Sequence, residues 1–192
     1  MTDIALECAC GKVKGTLRGA SPSSGTRLLC YCGDCQAYGR FLGRDDILDP
    51  WGGISVFQAA PAHVTISDDA GALAGMRLSE KGLYRWYCAE CKTPVGNSMT
   101  PSVAFVGMST NMMRGIDLDA VLGPVVGHIQ QKSAKNGGPP FPQNNFRVIT
   151  TALRHFVGWK LRGLGMPHPF WKDRQTTRVT PRVLSPTERA AL

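Results

Sequence analysis

Residues 30–35 read Cys30-Tyr31-Cys32-Gly33-Asp34-Cys35, which places three thiols within six residues. This spacing lets one loop present all three sulfurs to a single zinc ion and leaves the fourth tetrahedral position for water, a substrate or a distant ligand. An open position is the usual feature of a catalytic zinc site, whereas structural sites are closed. The stretch therefore predicts a reactive metal centre on Cys30, Cys32 and Cys35.

The other four cysteines form two tight pairs, Cys8-Ala9-Cys10 and Cys88-Ala89-Glu90-Cys91. Two such pairs are sufficient for a closed four-sulfur zinc site. Because the pairs lie far apart in the chain, zinc between them would close a long loop and contribute much of the folding free energy of a small sheet. With this second site, all seven cysteines are used.

Other interpretations of the cysteines stay open at this point. Disulfides or unligated thiols compete with zinc, but tight pairs and triplets are the metal pattern. The odd number of cysteines and the absence of a basic-then-apolar N-terminal signal predict a reducing cytoplasm. A fourth ligand from His63, His128 or Asp34 would make the triplet a second structural site, and Cys32 with Cys35 would be the pair of a metal-free redox site.

Length and composition favour one domain with an appendage. The chain has 192 residues, of which 43% are hydrophobic, enough for one good core. We predict a zinc domain over residues 1–131, with a C-terminal helix and a basic, proline-rich arm over residues 132–192 packed on it. No apolar run approaches the length of a membrane span, so we expect a soluble protein with no membrane partner.

The positive charge is concentrated at one end of the sequence. Residues 132–192 contain 11 Lys and Arg against two Asp and Glu, and the whole chain carries +8. A basic tail can bind nucleic acid or an acidic partner. A solvated helix face is the more ordinary interpretation, because no groove-reading motif accompanies the charge. Nucleic-acid binding is therefore kept only as an alternative.

The hydrophobic pattern predicts a mainly β fold with helices near the C-terminus. Short β-favouring runs separated by Gly and Pro extend to about residue 109 and predict an antiparallel β domain. From Leu118 to Ile129 the spacing becomes helical, and Pro124 is expected to begin a second helical piece. The motif Ser185-Pro186-Thr187-Glu188 predicts a short terminal helix.

A longer helix is predicted from Asn144 or Asn145 to about Gly163. Apolar residues recur along it at helical spacing, and such a stripe is usually core packing. The residues expected in the core are Phe146, Ile149, Leu153, Phe156, Val157 and Leu164.

The ordered set of seven cysteines resembles the glutathione-dependent formaldehyde-activating (GFA) family over roughly residues 4–130. The resemblance is carried by C-x-C-G near the start, C-x-C-x-x-C some twenty residues later, and C-x-x-C after a long β region. It implies a β-tent fold related to methionine-R-sulfoxide reductases and two zinc ions per chain. The implied ligands are Cys8, Cys10, Cys88 and Cys91 for the structural zinc, and Cys30, Cys32 and Cys35 for the second zinc.

The sequence departs from the family pattern around both motifs. Characteristic members read C-H-C-x-x-C-R-R at the triplet and C-x-x-C-G-[ST] at the last pair. Here Tyr31 replaces the histidine, and Gln36-Ala37 replaces the two arginines. Lys92-Thr93 follows the last pair, and Arg40 and Arg44 are the nearest cations after the triplet.

The resemblance implies a carbon–sulfur lyase that acts on a thiol adduct of a small aldehyde, with glutathione as the thiol. In that chemistry zinc activates a thiol or water at its open position for attack on the electrophile. One alternative is a non-catalytic zinc module whose basic C-terminal region binds an acidic partner or nucleic acid. Another is methionine-sulfoxide reduction, which requires a catalytic thiol that turns over with a disulfide reductant.

Overall fold

The computed structural model describes residues 1–192 and contains two β-sheets with helices around them. The strands are β1 (Thr2–Glu7), β2 (Lys14–Ala20), β3 (Thr26–Cys30), β4 (Ile54–Ala59), β5 (Val64–Ser67), β6 (Leu73–Arg77), β7 (Tyr84–Cys88), β8 (Pro94–Ser98), β9 (Val106–Ser109), β10 (Gly127–Ile129) and β11 (Arg182–Val183). The α-helices are α1 (Gly33–Leu42), α2 (Leu118–Leu122), α3 (Asn145–Leu161) and α4 (Pro186–Ala190). The prediction of a mainly β fold with C-terminal helices is confirmed at this level.

The strands form one small sheet and one large sheet. The small sheet has the order β1-β2-β5, and the large sheet has the order β10-β3-β4-β9-β8-β7-β6-β11. Pairing is antiparallel except at the two ends of the large sheet, where β10 and β11 run parallel to β3 and β6. The largely antiparallel pairing agrees with the predicted antiparallel β domain. The sequence signal is weakest at β8, where Pro94 and Gly96 interrupt the β-favouring pattern.

The main core lies between the two sheets. It joins Leu6 and Leu17 of the small sheet to Phe57 and Trp86 of the large one. Phe170, from the segment predicted as a basic arm, is completely buried and stacks on Trp86 with ring centroids 5.0 Å apart. The C-terminal segment therefore supplies part of the core of the β domain.

Two sequence predictions in the middle of the chain are wrong. The cysteine triplet was placed in a loop, but Cys35 lies in the first turn of α1, a ten-residue helix. The helical piece expected from Pro124 to Ile129 is instead β10, because Gly127–Ile129 pairs with Leu28–Cys30 of β3. Edge pairing in the sheet here overrides the local helical pattern.

The long C-terminal helix is present as α3, but its predicted core face is wrong. The structure buries Val148 and Ala152 on the side of α3 that contacts β10 and β3, and it buries Trp159 against Ala60 and Ala104. Most of the predicted core stripe is instead exposed to solvent. Val148 comes close to the backbone of Gly127, where a Cβ would lie only 2.6 Å from its Cγ2. This close approach fixes which side of the helix faces the sheet.

The short terminal helix α4 is confirmed. Ser185 caps it by accepting from the amide of Glu188, and the Glu188 side chain accepts from the amide of Ser185. This reciprocal capping box fits the predicted motif. None of the helices is long and apolar enough to cross a membrane.

Candidate metal centres

The first candidate metal centre is the four-cysteine cluster, made of Cys8, Cys10, Cys88 and Cys91. The four sulfur atoms all lie within 4.8 Å of one another. The sulfurs of Cys8 and Cys10 are 3.5 Å apart, and those of Cys10 and Cys88 are 3.6 Å apart. Sulfurs bound to one tetrahedral zinc ion are about 3.8 Å apart at a Zn–S bond of about 2.3 Å, so the cluster fits this metal.

Two similar turns present these four sulfurs. Cys8 begins one turn and its amide donates to Val13, while Cys88 begins the other and its amide donates to Thr93. Each turn contains a residue with a left-handed backbone, Gly11 at φ +74° and Lys92 at φ +56°. The amide of Val13 also donates to the Cys8 sulfur at 3.3 Å, which is the kind of contact that stabilises a thiolate.

The four-cysteine cluster joins the two sheets. Cys8 follows β1 of the small sheet, and Cys88 ends β7 of the large sheet. Both residues are completely buried, and the amide of Ala9 donates to the Thr93 hydroxyl across the junction at 3.1 Å. A metal ion held here would therefore cross-link the two layers and add to their shared apolar core and this hydrogen bond.

The second candidate metal centre is the three-cysteine cluster, made of Cys30, Cys32 and Cys35. The three sulfurs lie within 4.8 Å of one another, and the group contains no histidine or carboxylate. Cys30 ends β3, Cys32 is the N-cap of α1, and Cys35 lies in its first turn. The strand-to-helix junction therefore gathers the three sulfurs, and both clusters can hold metal ions.

The proposed fourth ligands of the three-cysteine cluster are all engaged elsewhere or distant from it. Asp34 accepts a hydrogen bond from Arg189 at 2.8 Å. The His128 ring stacks between Tyr31 and Phe141, and burial lowers its pKa. His63 lies at a separate surface pocket near the N-terminus. The cluster is therefore left with three protein ligands.

A buried cation lies beside the three-cysteine cluster. Arg85, on β7, is only 4% exposed, and its guanidinium carbon is 5.1 Å from the ring centroid of Tyr38. Its Nε atom has no hydrogen-bond partner. Burial alone would lower the pKa of Arg85, but the negative charge available at Cys35 raises it above its usual value.

Arg85 and Cys35 line the same small cavity. Its volume is about 20 Å³, room for about one water molecule. Asn97 and Ser109 complete the polar part of its wall. A small polar group can therefore lie between the thiol of Cys35 and a fixed positive charge.

The three thiols share their protons unequally. Hydrogen bonds from Cys30 and then from Cys35 lower the pKa of Cys32, while the hydrogen bond with Cys32 raises the pKa of Cys30. The amide of Cys35 and the charge of Arg85 also favour the Cys32 thiolate. Thiolates are the form that binds metal, so the cluster is prepared for ligation.

Two polar residues that follow the triplet, Gln36 and Arg44, have structural roles. Gln36 is buried and donates to the carbonyls of Tyr31 at 2.9 Å and Ser133 at 2.6 Å. Arg44 turns away from the triplet, since it pairs with Asp46 and donates to the carbonyl of Cys91 in the four-cysteine cluster. Neither side chain offers a positive charge to the three sulfurs.

Sequence reasoning missed Arg85 as a site residue. It is the single charge in the aromatic run Leu83-Tyr84-Arg85-Trp86-Tyr87, where a period-two pattern suggests an outward polar side chain. The structure buries it together with Trp86. The signal that could have found it is a lone arginine in an otherwise apolar strand that leads to Cys88.

Comparison with known proteins identifies the family. A sequence profile described as a family of unknown function (DUF6151) matches residues 1–177. The chain belongs to this family. The matched region contains both clusters, Arg85 and α3, so all of these lie within the part of the chain that the DUF6151 profile spans.

Two other comparisons give little more. No curated protein matches the chain. Among solved structures, the chain is similar to a crystal structure of a Rhodobacter sphaeroides protein, with 17% sequence identity and a TM-score of 0.44. The similarity covers 64% of this chain and 97% of that one.

Proposed function

We propose that this protein is a zinc enzyme that makes or breaks a carbon–sulfur bond at the three-cysteine cluster. The observation that carries the proposal is a group of three sulfurs with no fourth protein ligand, in a chain that also has a complete four-sulfur group. Three protein ligands and an open position are the usual arrangement of a catalytic zinc, and four are the usual arrangement of a structural zinc.

The proposed reaction is that of the GFA family, because the order of the cysteines in this chain resembles the order in that family. A small thiol such as glutathione adds to a small aldehyde: the thiol sulfur bonds to the carbonyl carbon, and the carbonyl oxygen takes the thiol proton. The reverse reaction breaks the same carbon–sulfur bond. Zinc held by the three sulfurs would bind the incoming thiol at its open position, lower the pKa of that thiol and act as a Lewis acid.

The protein residues supply charge and position. Three thiolates with one divalent cation carry a net negative charge, and an incoming thiolate adds another. Arg85 lies beside Cys35 and can offset part of this charge in a buried site, where pairing a charge matters most. Asn97 and Ser109, on the wall of the same cavity, can donate hydrogen bonds to the oxygen of the aldehyde adduct.

The same proposal includes the fold relation and the cellular compartment. We infer a β-tent arrangement related to methionine-R-sulfoxide reductases, supported by the four-cysteine cluster at the junction of two antiparallel sheets. All seven cysteines are free in the structure. Free thiols and thiolate metal sites are suited to a reducing compartment such as the cytoplasm.

The direct test is the rate of adduct formation measured by NMR exchange spectroscopy with formaldehyde and glutathione. Zinc-loaded wild-type protein should accelerate the exchange, and Cys32→Ser should not, while its circular dichroism stays that of the wild type. A folded, zinc-loaded wild-type protein that leaves the exchange rate at its uncatalysed value contradicts the proposal. Turnover of methionine sulfoxide with a dithiol would favour the reductase alternative.

A further inference from the structure

Helix α3 has two apolar faces, and only one of them packs on the protein. The inner face, which includes Val148, Ala152 and Trp159, lies on β10 and β3 or against the neighbouring loop. The outer face carries five large apolar residues spaced by three or four positions, which places them on one side of the helix. Their exposed fractions are Phe146 82%, Ile149 62%, Leu153 59%, Val157 49% and Leu161 83%.

This outer stripe is unusual for a water-exposed surface. Half of the ten exposed large hydrophobic residues of the chain lie on it. Phe141, just before the helix, is also 49% exposed. Scattered exposed apolar residues are normal, but a continuous apolar stripe about 25 Å long, at 1.5 Å per residue over the 17 residues of α3, marks an interaction surface.

The charged residues of α3 itself have a single sign. Helix α3 contains no Asp or Glu, and its exposed charged residues are Arg147, Arg154 and Lys160. On a helical projection the two arginines lie along one edge of the stripe and Lys160 lies toward the other. Arg162 follows directly at the C-terminal end. The partner of this surface must therefore be apolar and negatively charged at the same time.

A second copy of this chain does not meet that requirement. Two α3 stripes packed together would bring six basic side chains from the helices close to one another without an acidic residue on either helix. The stripe is also the outward ridge of a single helix that rests on a sheet. A ridge of this kind can enter a fluid lipid surface without a groove of matching shape.

We propose that α3 binds the surface of a membrane that contains anionic phospholipids. The helix lies in the plane of the interface, with the five apolar side chains in the boundary of the acyl chains and the basic side chains at the level of the phosphates. This is the common arrangement of an interfacial amphipathic helix. This proposal differs from the expectation of no membrane partner, which rested on the absence of a spanning segment and did not consider interfacial binding.

The inference is independent of metal and of catalysis, so it is tested on the full-length protein by co-sedimentation with vesicles. Wild-type protein should bind vesicles rich in phosphatidylglycerol and bind pure phosphatidylcholine much more weakly. The double substitution Ile149→Gln/Leu153→Gln should lower the partition coefficient about tenfold or more, because it removes two of the aliphatic side chains that would enter the lipid. Arg147→Gln/Arg154→Gln should lower it about tenfold for anionic vesicles only.

The matched control is Met99→Gln, which changes an apolar residue of 44% exposure outside the stripe and should leave vesicle binding unchanged. Vesicle binding that is absent, or that survives both double substitutions, overturns the proposal. So does a wild-type dimer in sedimentation velocity that Ile149→Gln/Leu153→Gln converts to a monomer. If the protein binds polyglutamate and substitution of Leu153 weakens that binding as much as it weakens vesicle binding, the partner of the stripe is an acidic protein and the membrane proposal is overturned.

Discussion

Arg189, in the last helix of the chain, donates a hydrogen bond to Asp34, in the first turn of the cysteine helix α1, at 2.8 Å. Leu184 and the C-terminal Leu192 pack in the same apolar cluster as the side chains of the triplet. The C-terminal segment therefore lies beside helix α1, which carries Cys35 in its first turn.

Deleting residues 185–192 should make the three-cysteine cluster more reactive. The deletion removes the contact of Arg189 with Asp34 and takes Leu192 out of the apolar cluster against which Cys30 and Cys32 also pack. Iodoacetamide should therefore modify metal-free protein faster at these two thiols, as measured by mass spectrometry of peptides. Arg189→Gln alone should change little, because an exposed ion pair contributes about 1 kcal/mol or less. If the truncated protein is modified at Cys30 and Cys32 at the same rate as the wild type, residues 185–192 do not protect these thiols.

Substitution of Arg85 should weaken metal binding at the three-cysteine cluster. Arg85→Gln removes the buried positive charge beside Cys35, and the loss of such an outer partner typically lowers metal affinity about tenfold or more. The measurement is a competition between the protein and a chelator, followed by cobalt absorption. Arg85→Lys keeps the charge and is the matched control. If wild type and Arg85→Gln bind cobalt with equal affinity, Arg85 does not contribute to metal binding at the three-cysteine cluster.

The two clusters should respond differently to cysteine substitution. Cys8→Ser or Cys91→Ser opens the cluster that joins the sheets, and the lost metal-binding free energy should exceed the net stability of about 5–15 kcal/mol that a domain of this kind has. These variants should not fold. Cys32→Ser should leave a folded but inactive protein. Circular dichroism measures whether each variant folds. If all three variants are unfolded, the assignment of a structural role to one cluster and a catalytic role to the other is contradicted.

Acid should destabilise the fold through His168. This histidine is 5% exposed, and burial lowers its pKa to about 4. In the unfolded chain His168 binds a proton below about pH 6.5, whereas in the folded protein it stays neutral down to about pH 4. Protonation therefore favours the unfolded chain between these two pH values. The folded protein should lose up to about 3 kcal/mol of stability as the pH falls from 6.5 toward 4, and none of this loss should occur above pH 6.5. The measurement is urea unfolding at several pH values.

The control for this prediction is His168→Gln, since metal loss at low pH also destabilises the protein. The difference in unfolding free energy between wild type and His168→Gln should shrink as the pH falls below 6.5. A difference that is constant with pH would show that His168 does not titrate in this range.

The structure brings the seven cysteines into the two groups that the resemblance to the GFA family implied, although spacing alone could not assign the partners. The C-x-C-x-x-C run allows only short connections between its thiols, and two further pairs can complete a four-sulfur site. The terminal helix was equally predictable, since its signal is local: Ser185, Pro186 and Glu188 satisfy the first turn of α4 without help from the rest of the fold.

What the sequence could not predict depends on contacts distant in the chain. Helix α3 has apolar residues on both sides, and the choice between Val148 and Leu153 as core depends on the close approach of Val148 to Gly127 of β10. That strand was itself assigned to a helix, because its pairing with β3 is not visible in local spacing. Arg85 was missed for the same reason, since its burial follows from the packing of β7 on α1.

The central claim is that two cysteine clusters of unequal completeness hold one metal ion each. Metal content per chain, measured by plasma mass spectrometry on protein purified under reducing conditions, tests it most directly. We expect two zinc ions per chain in the wild type and one in folded Cys32→Ser. A wild-type protein with a single zinc ion shared among the seven sulfurs, or with these sulfurs joined in disulfides and no metal, would contradict it.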